Sequence, residues 1–316
     1  MFRKTQQSLL VVAVAPLVLV LGCTGAPTAA RPAASSTSFP VTIHAPNGTV
    51  RIAAEPKAIV SLSATATEML FAIGAGSQVK AVDQYSDYPK GAPTTSLDGN
   101  NPNVEAIASY HPDLVVVSQD ISGLSSKLSA LGITVLSAPA AVSLNQEYQQ
   151  FDQLGEATGH TAQAMAQVAT IKSRIAQIVQ STPTATHSRS YYYELDQTFY
   201  SETSSTFIGQ VLGLLGLKSI ADSATGAAAS GGYPQLSGEF ILKSNPDYIL
   251  LADTICCNQS PATIATRPGW STLSAVKGDR VLGLNDDIAS RWGPRIVNLL
   301  RAVSDELKLA TGGSSS

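Results

Sequence analysis

Covalent catalysis needs a nucleophile beside a base, or metal ligands at a fixed spacing. This sequence of 316 residues offers neither pattern. It has no Gly-x-Ser-x-Gly elbow and no Gly-x4-Gly-Lys-Ser/Thr phosphate loop, and Gly74 and Gly76 read as helix-stop glycines. His44, His111, His160 and His187 are far apart, with no i,i+4 pair for zinc. The residues that stand out are instead suited to holding something. Tyr85, Tyr200 and Tyr233 each lie in a loop near a strand. Flat aromatic faces bury large area against a rigid ligand at little conformational cost, and each phenol keeps a hydroxyl for polar groups. Taken singly, a loop tyrosine can equally be surface packing. Asp287 and Arg291 are at helical spacing, so they could bond ligand amides or phosphates, or simply each other. Cys256 and Cys257 are adjacent, just after an apolar strand. In an oxidising compartment they could form a strained vicinal disulfide, stay as two thiols, or bridge to another molecule. A thiolate on the metal of a ligand is a further, weaker option. Glu105 and Glu239 begin short helices, where a carboxylate favours the positive helix end.

These residues need a scaffold. Short apolar runs alternate with stretches of helical period, the pattern of α/β units with mostly parallel strands. Strands are expected at 58–62, 114–118, 133–136, 191–195, 248–251 and 280–284, and helices at 65–73, 207–215 and 296–309. From 145 to about 180 there is no proline, and Met165, Val168, Ile171, Ile175 and Ile178 recur at helical spacing. Gly155 and Gly159 are placed to bend its start; the remainder reads as one long connecting helix. On either side of it a unit repeats. Glu105-Ala-Ile107 leads to Pro112-Asp113 and a strand, and Glu239-Phe-Ile241 leads to Pro246-Asp247 and a strand. A short helix, a Pro-Asp corner and a central strand, given twice, imply two lobes of similar build with a cleft between them.

The amino-terminal residues point to export. Arg3 and Lys4 precede an apolar run at 9–21, which carries Pro16 and is shorter than the ~20 residues a spanning helix needs. It closes in Val20-Leu21-Gly22-Cys23, a signal-peptide layout resembling the lipobox of bacterial lipoproteins. Cys23 is therefore expected to carry the lipid anchor; the other reading is plain cleavage with Cys23 incidental. Loss of Arg3 and Lys4 with the signal takes the formal charge from −3 to −5, and no basic block remains to suit nucleic acid. The expected division is signal peptide 1–22, flexible tether 23–40, first α/β lobe 41–144, connecting helix 145–182, second α/β lobe 183–311 and disordered tail 312–316.

Tyr85-Ser-Asp-Tyr-Pro89, the paired Glu-x-Ile…Pro-Asp units and Pro294-Arg295-Ile296 together resemble the helical-backbone class of ABC-importer substrate-binding proteins. That is the periplasmic binding protein family of cobalamin, siderophore and haem receptors, and the likeness is greatest to its cobalamin-binding members. It runs from about residue 58 to 309. It implies two Rossmann-like α/β lobes joined by a single long helix, with a largely preformed ligand cleft, since a helix cannot absorb the φ/ψ change that loops can. It further implies a lipid-anchored monomer on the extracytoplasmic side of the cell membrane, working with an importer permease and its ATPase. There would be no catalysis and no cofactor, only a bulky ligand: a cobalt corrinoid or, as the alternative, an iron-siderophore or haem. A metal-ion receptor and a surface protein without transport role are lesser readings. Tyr85, Tyr200 and Tyr233 match aromatic wall positions, Asp287 and Arg291 a polar pair, and Glu105 and Glu239 the acidic residues that dock into permease arginines. The pattern breaks at Ser96-Leu-Asp-Gly-Asn-Asn101, where the cobalamin receptors carry a tryptophan and this chain has no aromatic.

Overall fold

Parallel strands buried on both faces must be apolar at nearly every position, and that is the character of the runs expected as strands. The computed structural model, which describes residues 38–184 and 188–312, builds them into two sheets. The signal peptide, Cys23 and most of the tether fall outside the described residues, and Phe39 already packs against the core.

A hairpin of β1 (Val41–Ala45) and β2 (Gly48–Ile52) opens the described chain. Then follow β3 (Ile59–Leu62), α1 (Ala64–Ala72), β4 (Val79–Val82), α2 (Val104–Ala108), β5 (Leu114–Val117), α3 (Leu124–Ala130) and β6 (Thr134–Ser137). These four strands after the hairpin are parallel, in spatial order β4-β3-β5-β6. After helices α4 (Leu144–Thr158) and α5 (Thr161–Ser181) the second lobe begins with β7 (Arg189–Glu194), α6 (Phe207–Gly213), β8 (Leu217–Ser219), α7 (Gly238–Ser244) and β9 (Tyr248–Leu251). It closes with α8 (Pro261–Ala265), α9 (Ser274–Lys277), β10 (Val281–Gly283), α10 (Asp286–Ser290) and α11 (Ile296–Gly312). Its sheet is again parallel, in order β8-β7-β9-β10. Both sheets thus put their second strand on one side of the first and the third and fourth on the other.

The repeated Pro-Asp corner has the same task in each lobe. Asp113 Oδ2 accepts from the backbone N–H of Lys57 (2.7 Å) and Ala58 (3.0 Å), which fixes the entry to β3 beside β5. Asp247 Oδ2 accepts from Ser190 N–H (2.8 Å) and its hydroxyl (2.9 Å), which fixes β7 beside β9. Asn103 and Ser237 cap α2 and α7 in turn, through bonds from Ala106 and Phe240 N–H.

Alternate strand residues divide between two cores. Val60, Leu62, Val115 and Val117 pack under α2 and α3, while Tyr192, Ile249 and Leu251 pack with Trp270 on the outer side of the second sheet. The opposite faces share one core. Ile59, Leu114 and Val116 of the first lobe and Tyr191, Tyr193 and Leu250 of the second join a cluster that also takes in α1, α4, α5, α6 and α11. The segment expected as one connector is two helices. Gly159 caps α4 in the left-handed region (φ +81°), and the long helix proper is α5. A Cβ on Gly155 would stand 2.5 Å from that of Ala164, so only glycine lets α5 pack this closely on α4. No helix among the described residues is long and apolar enough to cross a membrane. Phe151→Ala, in the shared core, should cost about 3–5 kcal/mol of stability in urea unfolding. Met165→Ala, on the exposed side of α5, should stay within about 0.5 kcal/mol.

Candidate functional site

In open parallel sheets the carboxyl ends of the strands open towards the ligand crevice. Tyr85 lies three residues beyond β4 and is half-exposed. Its loop is anchored from below. Asp83, buried, accepts from Ser86 Oγ (2.7 Å), and Thr67 Oγ1 on α1 reaches both Ser86 (3.1 Å) and Ser61 (2.9 Å). Burial pushes the Asp83 carboxyl up, against the Ser86 bond that lowers it. The segment 96–101 runs alongside, with Leu97 buried and its carbonyl accepting from Gln84 N–H (2.8 Å).

Tyr200 and Tyr233 come together through backbone pairing that the sequence did not advertise. Ser201 N–H bonds Pro234 O (3.0 Å), Thr203 N–H bonds Gly232 O (2.8 Å), and Tyr200 is bridged antiparallel to Gln235. This register sets Tyr200 and Tyr233 as diagonal neighbours on one side of a short ribbon, and both rings are half-exposed. Tyr193 of β7, the strand that leads to the ribbon, donates to the carbonyl of Ala289 on α10 (2.7 Å), which ties β7 to the helix carrying Asp287.

Asp287 and Arg291 do pair with each other, at 2.6 Å. Arg291 is far from free otherwise: it also bonds Glu68 Oε1 (2.9 Å), the carbonyl of Tyr85 (3.1 Å) and Asp87 (3.5 Å). Tyr85, Asp287 and Arg291 therefore form one group that joins the lobes, and Tyr200 and Tyr233 a second. Glu105 and Glu239 stand exposed in the first turns of α2 and α7, the helices that precede the equivalent strands β5 and β9 of the two lobes, and no ion pair among the described residues claims either. Cys256 and Cys257 are free thiols, the first exposed. Burial, a bond with Cys257 and the neighbouring Asp286 push the Cys256 thiol up to about 12, so it is no ready thiolate.

Sequence reading missed the buried ionic groups. Glu194, fully buried at the end of β7, holds Arg267 through two bonds of 2.6 Å, and Arg267 stacks 4.7 Å over Trp270. Asp253, fully buried beside them, is pushed up to about 7 by burial and by the Glu194 charge. The available signal was a lone carboxylate inside an apolar run, as in Tyr191-Tyr-Tyr-Glu194 and Thr67-Glu-Met-Leu70. Among the described residues no group of three His, Cys, Asp or Glu is placed to hold a metal ion.

Residues 59–288 match the periplasmic binding protein family. The chain belongs to it. A relative in Bacillus subtilis (strain 168), the uncharacterized ABC transporter substrate-binding lipoprotein YvrC, is 32% identical over 279 residues, 85% of this chain and 86% of that protein. The cobalamin-binding protein of Halobacterium salinarum (strain ATCC 29341 / DSM 671 / R1) is 30% identical over 270 residues, 82% of this chain and 72% of that one. The crystal structure of a Staphylococcus epidermidis ATCC 12228 periplasmic solute-binding protein, described as a possible iron-binding protein, superposes with a TM-score of 0.69 at 27% identity. It covers 80% of this chain and 99% of its own. Members of the family are binding proteins of ABC transporters, not enzymes, and work outside the cytoplasm with a permease and an ATPase.

Buried carboxyls in this binding protein make its stability respond to pH, and Glu147 has the least compensation among them. Glu147 on α4 is fully buried, neither carboxylate oxygen has a partner, and burial pushes its pKa from 4.5 up to about 8. The folded chain therefore keeps a proton there that the unfolded chain gives up. The resulting stability is complete below about pH 4.5 and lost as pH rises towards 8. Urea unfolding of Glu147→Gln beside the parent chain should show little difference near pH 5. The variant should be the more stable near pH 8.

Proposed function

We propose that this chain is a lipid-anchored receptor that captures a cobalamin-like corrinoid between its lobes and delivers it to an ABC importer. The observation that carries the reading is the set of three half-exposed tyrosines on strand-end loops of both lobes, Tyr85 from the first and Tyr200 with Tyr233 from the second. Two walls of flat aromatic surface suit a rigid macrocycle, which such rings cover without losing much freedom of their own. Asp287 and the one donor of Arg291 left uncommitted among the described residues, its Nε–H, would meet the polar periphery of the ligand, its amides or phosphate. The cobalamin-binding relative in Halobacterium salinarum supports this choice.

A second reading is an iron chelate. The Staphylococcus epidermidis neighbour favours it, as does the absence of any aromatic from 96–101, and the scaffold alone does not fix the ligand. Glu105 and Glu239 are the proposed permease contacts, because a carboxylate on each lobe at an equivalent, unpaired and exposed position suits a two-fold arginine surface. Cys23 is the proposed lipid attachment.

Calorimetric titration of residues 24–316 with cyanocobalamin, ferric hydroxamates and haem separates the readings. Submicromolar binding of cyanocobalamin alone is the expected result, and preference for a ferric hydroxamate would replace the corrinoid by the iron chelate. Tyr200→Ala and Tyr233→Ala should each weaken binding by about 1–3 kcal/mol through lost aromatic burial, and unchanged affinity in both removes them from the site. Glu105→Ala combined with Glu239→Ala should abolish uptake by cells while binding in solution stays intact; normal uptake would end the docking assignment.

A further inference from the structure

Glu68 sits in the middle of α1, between Thr67 and Met69, with no exposed side-chain surface at all. A carboxylate so placed is stable in its charged form only if cations are brought to it with good geometry. Here two are. Arg295 donates from Nε to Oε2 (2.9 Å) and from Nη2 to Oε1 (2.6 Å), and Arg291 donates from Nη1 to Oε1 (2.9 Å). The guanidinium of Arg295 also lies 4.2 Å over the ring of Tyr88. Both arginines belong to the second lobe, whereas Glu68, Tyr85, Asp87 and Tyr88 belong to the first. The loop carrying the arginines follows: Trp292 Nε1 donates to Gln150 Oε1 (3.0 Å), and a Cβ on Gly293 would come into van der Waals contact with Thr65 and Glu68.

The contacts across this junction are not equivalent. Asp87 is 66% exposed and 3.5 Å from Arg291, a pairing that water and salt weaken. Asp287 is on the same lobe as the arginines and holds nothing across the gap. Glu68 alone is fully buried and joined to both guanidiniums. Without it, Arg291 would keep only a backbone carbonyl and an exposed carboxylate of the first lobe.

Resting on the reading of Asp287 and Arg291 as ligand contacts, we infer that Glu68 is a positioning residue of the cleft. It touches no ligand. It fixes Arg291, and through Arg291 the Asp287 carboxylate, in the geometry the ligand meets, and it limits how far the lobes separate when the cleft is empty.

The test has an arm that needs no ligand. Spin labels at Lys127→Cys and Lys277→Cys, both exposed and on opposite lobes, report the distance between lobes in a chain carrying Cys256→Ser and Cys257→Ser and lacking the first 23 residues. The parent should give one narrow distance population. Glu68→Gln, and separately Arg295→Lys, should broaden it and move it to longer distances. An unchanged distribution in both overturns the assignment. In the second arm cyanocobalamin is the probe. Losing a charged hydrogen bond should make Glu68→Gln bind about tenfold more weakly. That loss should vanish when Arg291→Ala is already present. The same loss in the Arg291→Ala background would show that Glu68 acts apart from Arg291, which also overturns the assignment. Failure of the parent to bind cyanocobalamin ends the corrinoid reading alone, and the distance arm then decides the role of Glu68.

Discussion

The inner faces of the two sheets do not have separate cores; they share one, filled by α1, α4, α5, α6 and α11. Apolar surface shared in this way resists being pulled apart, since any wide opening of the lobes would return side chains such as Phe151, Ile171 and Leu300 to water. The helical connector adds to the restraint, because after the bend at Gly159 α5 runs on for 21 residues along the shared core. A cleft bounded by lobes on such a base is largely formed before anything enters it. Hinge-type closure around a ligand is expected to be correspondingly small.

On that apolar base the structure places two buried carboxylates that arginines answer. Glu194 is met by Arg267 within the second lobe, and Glu68 is met by Arg291 and Arg295 from across the junction. Their roles differ accordingly. The first pair closes the outer side of one lobe beneath Trp270, where cation and ring stack. The second reaches between lobes, so its effect on stability is inseparable from its effect on their relative position. Glu147, Glu202 and Asp253 are buried carboxyls without enough compensation, and all are pushed up towards neutrality by burial. They make the second lobe and its connector sensitive to pH in the same direction.

Duplication supplies the frame and asymmetry supplies the site. Asp113 and Asp247 do the same work, and Glu105 and Glu239 occupy matching first turns. The proposed ligand residues follow no such symmetry: a loop tyrosine comes from the first lobe, while a two-strand ribbon and a short capped helix come from the second. A doubled frame with unlike loops above its strands is how one scaffold can serve ligands of different chemistry.

Local pattern determined a good part of this protein. Continuous apolar runs gave strands β3, β5, β7 and β9, because both faces of a parallel sheet are buried. The repeated Pro-Asp corner gave two lobes, because that corner must stop a helix and start a strand at once. Gly159 marked the bend before α5, because a residue past a helix end takes a positive φ most easily when it has no Cβ. The spacing of Asp287 and Arg291 showed that they could pair, since four residues on a helix bring side chains together whatever surrounds them. The third partner lay beyond such reasoning. Glu68 is 223 positions from Arg291, and the ribbon that brings Tyr200 beside Tyr233 depends on backbone bonds across a loop with no periodic pattern. Period and composition report what a residue needs from its neighbours in the chain; only packing of the lobes decides which distant charge answers a buried one.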